Sequence, residues 1–464
     1  MGPKAKHPVH RELFRPLLMD LINDQHPLVV LERLIDWSVF ESRWSALFVS
    51  TRGRPATSPR LIAGLLYLQH TFAVSDETLL RTWVENPYWQ HFCGETHFSH
   101  RPPIDPSSLT RWRQRIGEEG VEWLLTETIE AARRGEVVKR QSFDRVIVDS
   151  TVMEKAVAYP TDSRLLERGR QHLVRLAGVL GITLRQNYNR TAPRLAIQVG
   201  RYAHAKQFRR MRATLRTLRT LVGRVWRDVT RKLLQQAHEI PAIRQDKARA
   251  ILARVERLLT QQPKDKNKLY SLHAPEVDCI GKGKARHPYE FGVKVSVATT
   301  LREGLVVGMR SFPGNPYDGH TLGETLEQVE ILTDRRPKAV FVDKGYRGIS
   351  IEGIAIWRSG QKRGVTPAIK KAIRRRSAIE PAIGHMKNEG RLRRNWLKGT
   401  LGDALHAVLC GAGHNLRMIL RAIRLFFNLF LALLISTDSS PRSEMSGAQT
   451  LRTESVHQSP LITH

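Results

Sequence analysis

Two short runs of consecutive apolar residues, each closed by an aspartate, constrain this chain most: VIVD within Phe143–Asp149, and AVFVD at Ala339–Asp343. A strand with one wet face alternates polar and apolar residues, so unbroken apolar runs predict strands buried on both faces. Such strands belong to a sheet covered by helices. Further strands are expected at Phe291–Thr299 and Leu305–Phe312, joined as a hairpin by an Arg-Glu-Gly turn, with helices at Gly319–Glu330, Ala378–Lys387 and Gly402–Leu425. If the two acid-ending strands lie side by side and parallel, Asp149 and Asp343 meet at their C-terminal ends.

The rest of the chain divides around that sheet. Residues 1–140 carry helical periodicity, as in Arg60–Phe72 and Gly120–Ala132, and are expected to form a helical domain. Residues 141–416 form the expected catalytic α/β domain. It is interrupted after its first strand by a basic helical insertion at about 164–264, within which Arg201–Leu233 holds Asp228 as its sole acid. A structureless loop of that length would be anomalous. Residues 417–464 comprise an apolar helix, Leu425–Ile435, and a polar tail expected to be disordered beyond Ser436. The apolar run is too short to span a bilayer and reads as a buried helix, so no stable membrane association is expected.

Charge narrows the partner. Lys and Arg number 75 against 44 Asp and Glu, a net charge of +31. That excess repels itself unless a polyanion offsets it, and duplex DNA does so by releasing condensed counterions. Cys93, Cys279 and Cys410 are odd in number and widely spaced, which predicts neither a disulfide framework nor a zinc finger. Asp105–Ile116 has a cap-rich start followed by Arg111, Arg113 and Arg115 around Trp112; a groove-reading helix and a purely structural helix both fit it.

The acids carry the chemistry. Phosphodiester cleavage uses hard oxygen ligands around divalent ions. Asp149 and Asp343 supply two, and Glu380, in RSAIEPAIGHMK, is the candidate third. Helical spacing sets Arg376, Glu380 and Lys387 on one face, with Arg376 and Lys387 suited to phosphates. Pro381 places the helix start near Glu380, and Ser377 with Glu380 has the spacing of a capping box, the alternative role for that glutamate. Glu389 is the rival ligand. Lys362–Lys398 holds twelve Lys or Arg and two acids, a field that keeps a carboxylate ionised and attracts DNA. Trp396 either stacks on a base or packs; Lys344, Tyr346 and Arg347 follow the second aspartate as candidate backbone contacts. Asp318 and His320 form a competing metal pair without a third ligand, better read as a helix cap or a supporting contact.

With VIVDST, VFVDKGY and R-x-x-x-E-x-x-x-x-x-x-K, the chain resembles the IS4/IS5-type bacterial insertion-sequence transposases of the DDE superfamily. Gly53–Gly94 is similar to that family's helical N-terminal domain, which implies that residues 1–140 form the DNA-binding domain. The resemblance implies a ribonuclease-H-like mixed sheet flanked by helices, with Asp149, Asp343 and Glu380 as catalytic metal ligands. It implies two Mg²⁺ ions, with Mn²⁺ as a substitute, and a homodimer that pairs terminal inverted repeats and joins their 3′-hydroxyl ends to target DNA. A cytoplasmic, nucleoid-associated setting follows. The family's tyrosine three residues before the arginine is Ile373 here. A metal-dependent nuclease that does not transpose, and an inactive DNA-binding descendant, are the alternatives.

Overall fold

The computed structural model describes residues 16–45, 47, 56–236, 238, 240–281 and 288–438. Strand β1 runs from Arg145 to Lys155, and its apolar Val146, Ile147 and Val148 are fully buried, as their unbroken run requires. On one edge it pairs antiparallel with β3 (Tyr289–Thr300), which in turn pairs with β2 (Asp278–Gly281) and β4 (Val306–Phe312). On its other edge β1 runs parallel to β5 (Ala339–Val342), and β5 to β6 (Ala355–Arg358). A two-residue strand, β7 (Arg394–Asn395), pairs parallel with Glu154 and Lys155 further along that edge. The path is therefore β2-β3-β1-β5-β6, with β4 on β3 and β7 on β1. This mixed sheet, flanked by helices, is ribonuclease-H-like.

Parallel pairing of β1 with β5 matches the expectation from sequence, with one correction. Asp149 does not end its strand; β1 continues six residues past it. It is β5 that stops, its last paired residue with β1 being Phe341 opposite Ile147. Between that point and β7 the edge of β1 carries no strand, and Asp149 faces the gap. Short strands β2, β6 and β7 had no periodic signal, being four residues or fewer.

Helices α1 (Leu18–Leu21), α2 (Pro27–Leu34), α3 (Ser38–Ser45), α4 (Pro59–Thr71), α5 (Asp76–Glu85), α6 (Pro87–Phe92) and α7 (Pro106–Arg134) precede the sheet. Several begin on proline, whose missing N–H would have had no helical partner there. Helix α7 joins the two segments expected from sequence across a kink at Gly117 (φ 66°). After β1 come α8 (Asp162–Val179), α9 (Thr191–His204), α10 (Phe208–Gln235) and α11 (Ala242–Thr260), the helical insertion. Its buried Leu, Val and Ala form a cluster of their own, including Leu173, Leu218, Val225 and Val255.

The sheet is closed by α12 (Asp318–Thr333), α13 (Pro367–Arg375), α14 (Ile379–Asn388) and α15 (Gly399–Asp438). Helix α15 packs against α2, α4, α7 and β4, so one apolar core runs from the N-terminal helices through to the sheet. Of the run expected to be buried, Leu425, Phe426 and Leu429 are 56%, 68% and 64% exposed on the single chain, and the side chains from 430 onward lie outside the described residues. Among the described residues, no helix is long and apolar enough to cross a membrane. The polar tail from residue 439 onward lies outside the described residues.

Candidate active site

Asp149 stays paired to β3 within β1, beside the stretch of the other edge that carries no strand; it is half-buried, with its Oδ1 accepting from the Ser150 amide at 2.8 Å. Asp343 follows β5 directly. Its Oδ1 accepts from the Gly345 amide at 2.8 Å, which turns the chain tightly back. A Cβ on residue 345 would stand 2.9 Å from Asp343 Oδ1 and 3.4 Å from Asp318 Oδ2, so only glycine lets this turn lie against the two carboxylates.

Glu380 approaches from the opposite side on α14. A short 3-10 turn, Arg376–Ala378, links α13 to α14, and Pro381 falls within the first helical turn, where its lack of an N–H costs nothing. The capping box is absent: residue Ala378 caps α14, and the Ser377 hydroxyl donates instead to the Arg374 carbonyl at 3.1 Å. The Glu380 side chain is 62% exposed and free of any capping duty. Arg376 ties the two sides together, its Nη1 3.2 Å from Asp149 Oδ2 and its Nη2 2.9 Å from Glu380 Oε1.

Electrostatics follow from this crowding. Burial, then the Asp343 and Glu380 charges, push the Asp149 carboxyl up to about 6, against the opposing pull of the Ser150 amide and Arg376. Tyr346 is fully buried beside the same group. Burial, with the charges of Asp318, Asp149 and Asp343, drives its hydroxyl far above the usual phenol range. It therefore serves as a neutral wall, which corrects the expectation that it touches DNA.

Asp318 belongs to this neighbourhood as a supporting group. It opens α12, and Lys294 Nζ lies 3.0 Å from its Oδ1. Lys294 escaped the sequence reading, although a lone lysine inside the apolar strand FGVKVSV was a usable signal. His320 is exposed and packs edge-on to Tyr317, away from any ligand role. Glu389 pairs with His385 at 2.7 Å and feels Arg417 and Arg421 rather than the aspartates. It is not the third acid of this group.

The basic candidates separate by exposure. Lys344 and Arg347 are exposed beside Asp343. Lys387 lines a different feature, a cleft of about 870 Å³ with Arg391, Arg393, Arg394 and Trp396. Trp396 is 58% exposed, with Arg391 and Arg394 guanidiniums 5.7 and 5.9 Å from its ring. Arg111 and Arg115 are exposed on α7. Arg113 is corrected as a DNA contact: it is 4% exposed, and its guanidinium binds Asp76 at 2.6 Å and Gln69 at 2.7 Å. The intervening Trp112 is likewise core. Ile373 packs into the small cluster formed by Ile147, Phe341 and Ile379, so the tyrosine's place is filled by an apolar contact.

Among the described residues, one set of three His, Cys, Asp or Glu groups brings its ligand atoms within 4.8 Å of one another: His70, His406 and Cys410. The three acids do not converge that closely; the guanidinium of Arg376 stands between two of them.

The family described as "Transposase domain (DUF772)" matches residues 16–115, and "Transposase DDE domain" matches residues 259–401. "Uncharacterized protein ORF8 in nfe locus" of Rhizobium meliloti is 47% identical over 208 residues, covering 45% of this chain and the whole of that protein. The chain belongs to the DDE-superfamily transposases. No solved structure matches it. The matched DDE segment contains Asp343 and Glu380, whereas Asp149 lies between the two matched ranges, on the strand that pairs with the one leading to Asp343.

Proposed function

We propose that this transposase binds the terminal inverted repeats of a mobile element, cleaves at its ends and joins the 3′-hydroxyl ends to target DNA, in the manner of the IS4/IS5-type enzymes. Asp149, Asp343 and Glu380 are the catalytic carboxylates. Three oxygen donors of this kind suit hard divalent cations, Mg²⁺ with Mn²⁺ as substitute, and poorly suit soft ones. When bound, a pair of such ions supplies an activated attacking oxygen and a stabilised leaving oxygen.

The observation that carries the reading is the two-sided grip of Arg376 on Asp149 and Glu380 beside the Asp343 turn. Carboxylates repel one another, so a site that gathers three of them is suited to hold cationic charge between them. Arg376 supplies positive charge between two of them. With DNA present its guanidinium is suited to turn to a phosphate, with Lys344 and Arg347 holding the strand alongside. Tyr346 and Lys294 fix the back of the site and keep Asp318 occupied.

DNA beyond the site has a second track. Arg209, Arg212, Arg216, Arg224, Arg227 and Arg231 are exposed, and their spacing along α10 lays them on one side of the helix. At about 1.5 Å per residue the stripe extends roughly 33 Å, about one turn of duplex. Arg111 and Arg115 on α7 are candidates for terminal-repeat contact, and synapsis of two ends implies a homodimer in a nucleoid-associated, cytoplasmic setting.

Terminal-repeat duplexes with Mg²⁺ test the chemistry. Asp149→Asn, Asp343→Asn and Glu380→Gln are each expected to lower both cleavage and joining by more than about 100-fold, since even supporting residues of a metal site cost 10–100-fold. DNA binding should persist. Full activity in any variant removes that residue from the ligand set. The same three acids would equally serve one second reading, a nuclease that cuts without transposing. A pre-cut 3′ end separates the two: the transposase joins it to target duplex, and a nuclease leaves it unjoined.

A further inference from the structure

Helix α15 crosses α4 at very close range: a Cβ on Gly413 would lie 2.5 Å from the carbonyl oxygen of His70. That contact requires glycine and brings the side chain of His70 up to α15. His406 and Cys410, four residues apart, share the facing side of α15. All three side chains are buried, at 2%, 2% and 0% exposure.

The two imidazoles have their outer nitrogens already engaged by backbone. His70 Nδ1 is 3.0 Å from the Leu66 carbonyl, and His406 Nε2 is 3.0 Å from the Arg391 carbonyl. A carbonyl can only accept, so each of those nitrogens carries the proton, and the other nitrogen of each ring keeps a lone pair. His70 Nε2 is fully buried with no hydrogen-bond partner. A buried polar atom left unpaired is costly, and each one in a native protein calls for an explanation. Carbonyl-anchored imidazoles of this kind are the usual arrangement behind metal-binding histidines.

We propose that His70, His406 and Cys410 form a second metal site, one that binds a borderline-soft cation, Zn²⁺ foremost, and staples the N-terminal helices to α15. The ligand set is two nitrogens and one sulfur, which selects zinc over the magnesium suited to the acids. His70 and His406 also line the arginine-bearing cleft. Binding exchanges the Cys410 S–H proton, released to solvent, for a metal–sulfur bond. Burial pushes the Cys410 thiol up to about 12, against the weaker pull of Arg391 and Arg417, so the metal–sulfur bond itself has to drive the loss of the proton.

The full-length protein, stripped with chelator and titrated with Co²⁺, is expected to develop a thiolate-to-cobalt charge-transfer absorption at one equivalent. Zn²⁺ should abolish that band and raise the thermal midpoint. Cys410→Ser should lose the band, while Asp149→Asn with Asp343→Asn should keep it, which separates this site from the catalytic one. In case Cys410→Ser fails to fold, His70→Gln and the wild-type Zn²⁺ shift carry the test. A folded wild-type protein that gives neither the band nor a Zn²⁺-dependent shift overturns the proposal. So does a band that survives Cys410→Ser.

Discussion

At the residue scale, Arg376 has two partners of different worth. Its link to half-buried Asp149 is sheltered, while the Glu380 carboxylate is 62% exposed and screened by water. Removing the guanidinium by Arg376→Ala leaves the three acids without their resident cation. Mn²⁺ affinity, read by calorimetry, should then rise by roughly fivefold, about 1 kcal/mol. Strand joining should fall in the same variant, and Arg376→Lys should recover part of the charge compensation but not the two-pronged geometry. If Mn²⁺ affinity instead drops, the guanidinium supports the ion site rather than competing with it. Position 376 was legible in sequence through its four-residue spacing from Glu380; its reach across to Asp149 was not, because 227 positions separate the two.

At the scale of elements, the far end of β1 is locked by a buried charge cluster. Lys155 Nζ lies 2.6 Å from Asp403 Oδ1 and 2.9 Å from Glu276 Oε1, and Asn395 Nδ2 donates to Asp403 at 2.6 Å. One ammonium therefore joins β1, β7, α15 and the segment leading into β2. Lys155→Met strands two carboxylates and should cost about 3–5 kcal/mol in denaturant unfolding. Burial raises the Asp403 carboxyl from 3.8 to about 6, more than Lys155 and Asn395 lower it. A raised carboxyl binds its proton more tightly folded than unfolded, so its contribution is fully present below about pH 4 and is lost as pH climbs through about 6. The difference between wild-type and Asp403→Asn unfolding midpoints should change across that window and be flat above it. The α10 stripe behaves oppositely, being exposed. Charge reversal at Arg212, Arg216, Arg224 and Arg227 should leave stability within about 0.5 kcal/mol per site, while the salt slope of DNA binding falls by about 1 for each phosphate no longer neutralised.

For the whole molecule, a charge of +31 makes DNA affinity a function of salt before it is a function of sequence. If six to ten phosphates are neutralised, affinity for nonspecific duplex should drop about 10³–10⁵-fold between 50 and 200 mM salt. A flat response would mean the positive surface is turned away from DNA. The same scale shows why α15 matters: it packs on α4, α7 and β4 together, so the N-terminal helices and the sheet share one core, while the insertion keeps its own. Truncating within the shared core, for example Leu409→Ala, should cost about 2–5 kcal/mol and loosen both regions at once, visible as a single shifted transition.

Local chemistry determined much of this protein from sequence alone. Consecutive apolar residues meant doubly buried strands, helical periodicity marked α7, α12 and α14, a cap at Asp105 marked the start of α7, and charge balance pointed to a polyanion. Asp149, Asp343 and Glu380 were recognisable because each stands at the end or edge of such a pattern. Tertiary structure alone decided what distant side chains do on meeting. It turned Arg113 inward onto Asp76, set Lys294 against Asp318, placed Arg376 between two acids, and brought His70 to His406 and Cys410. Periodicity reports which face of an element is buried, and carries no record of which other face it will be buried against.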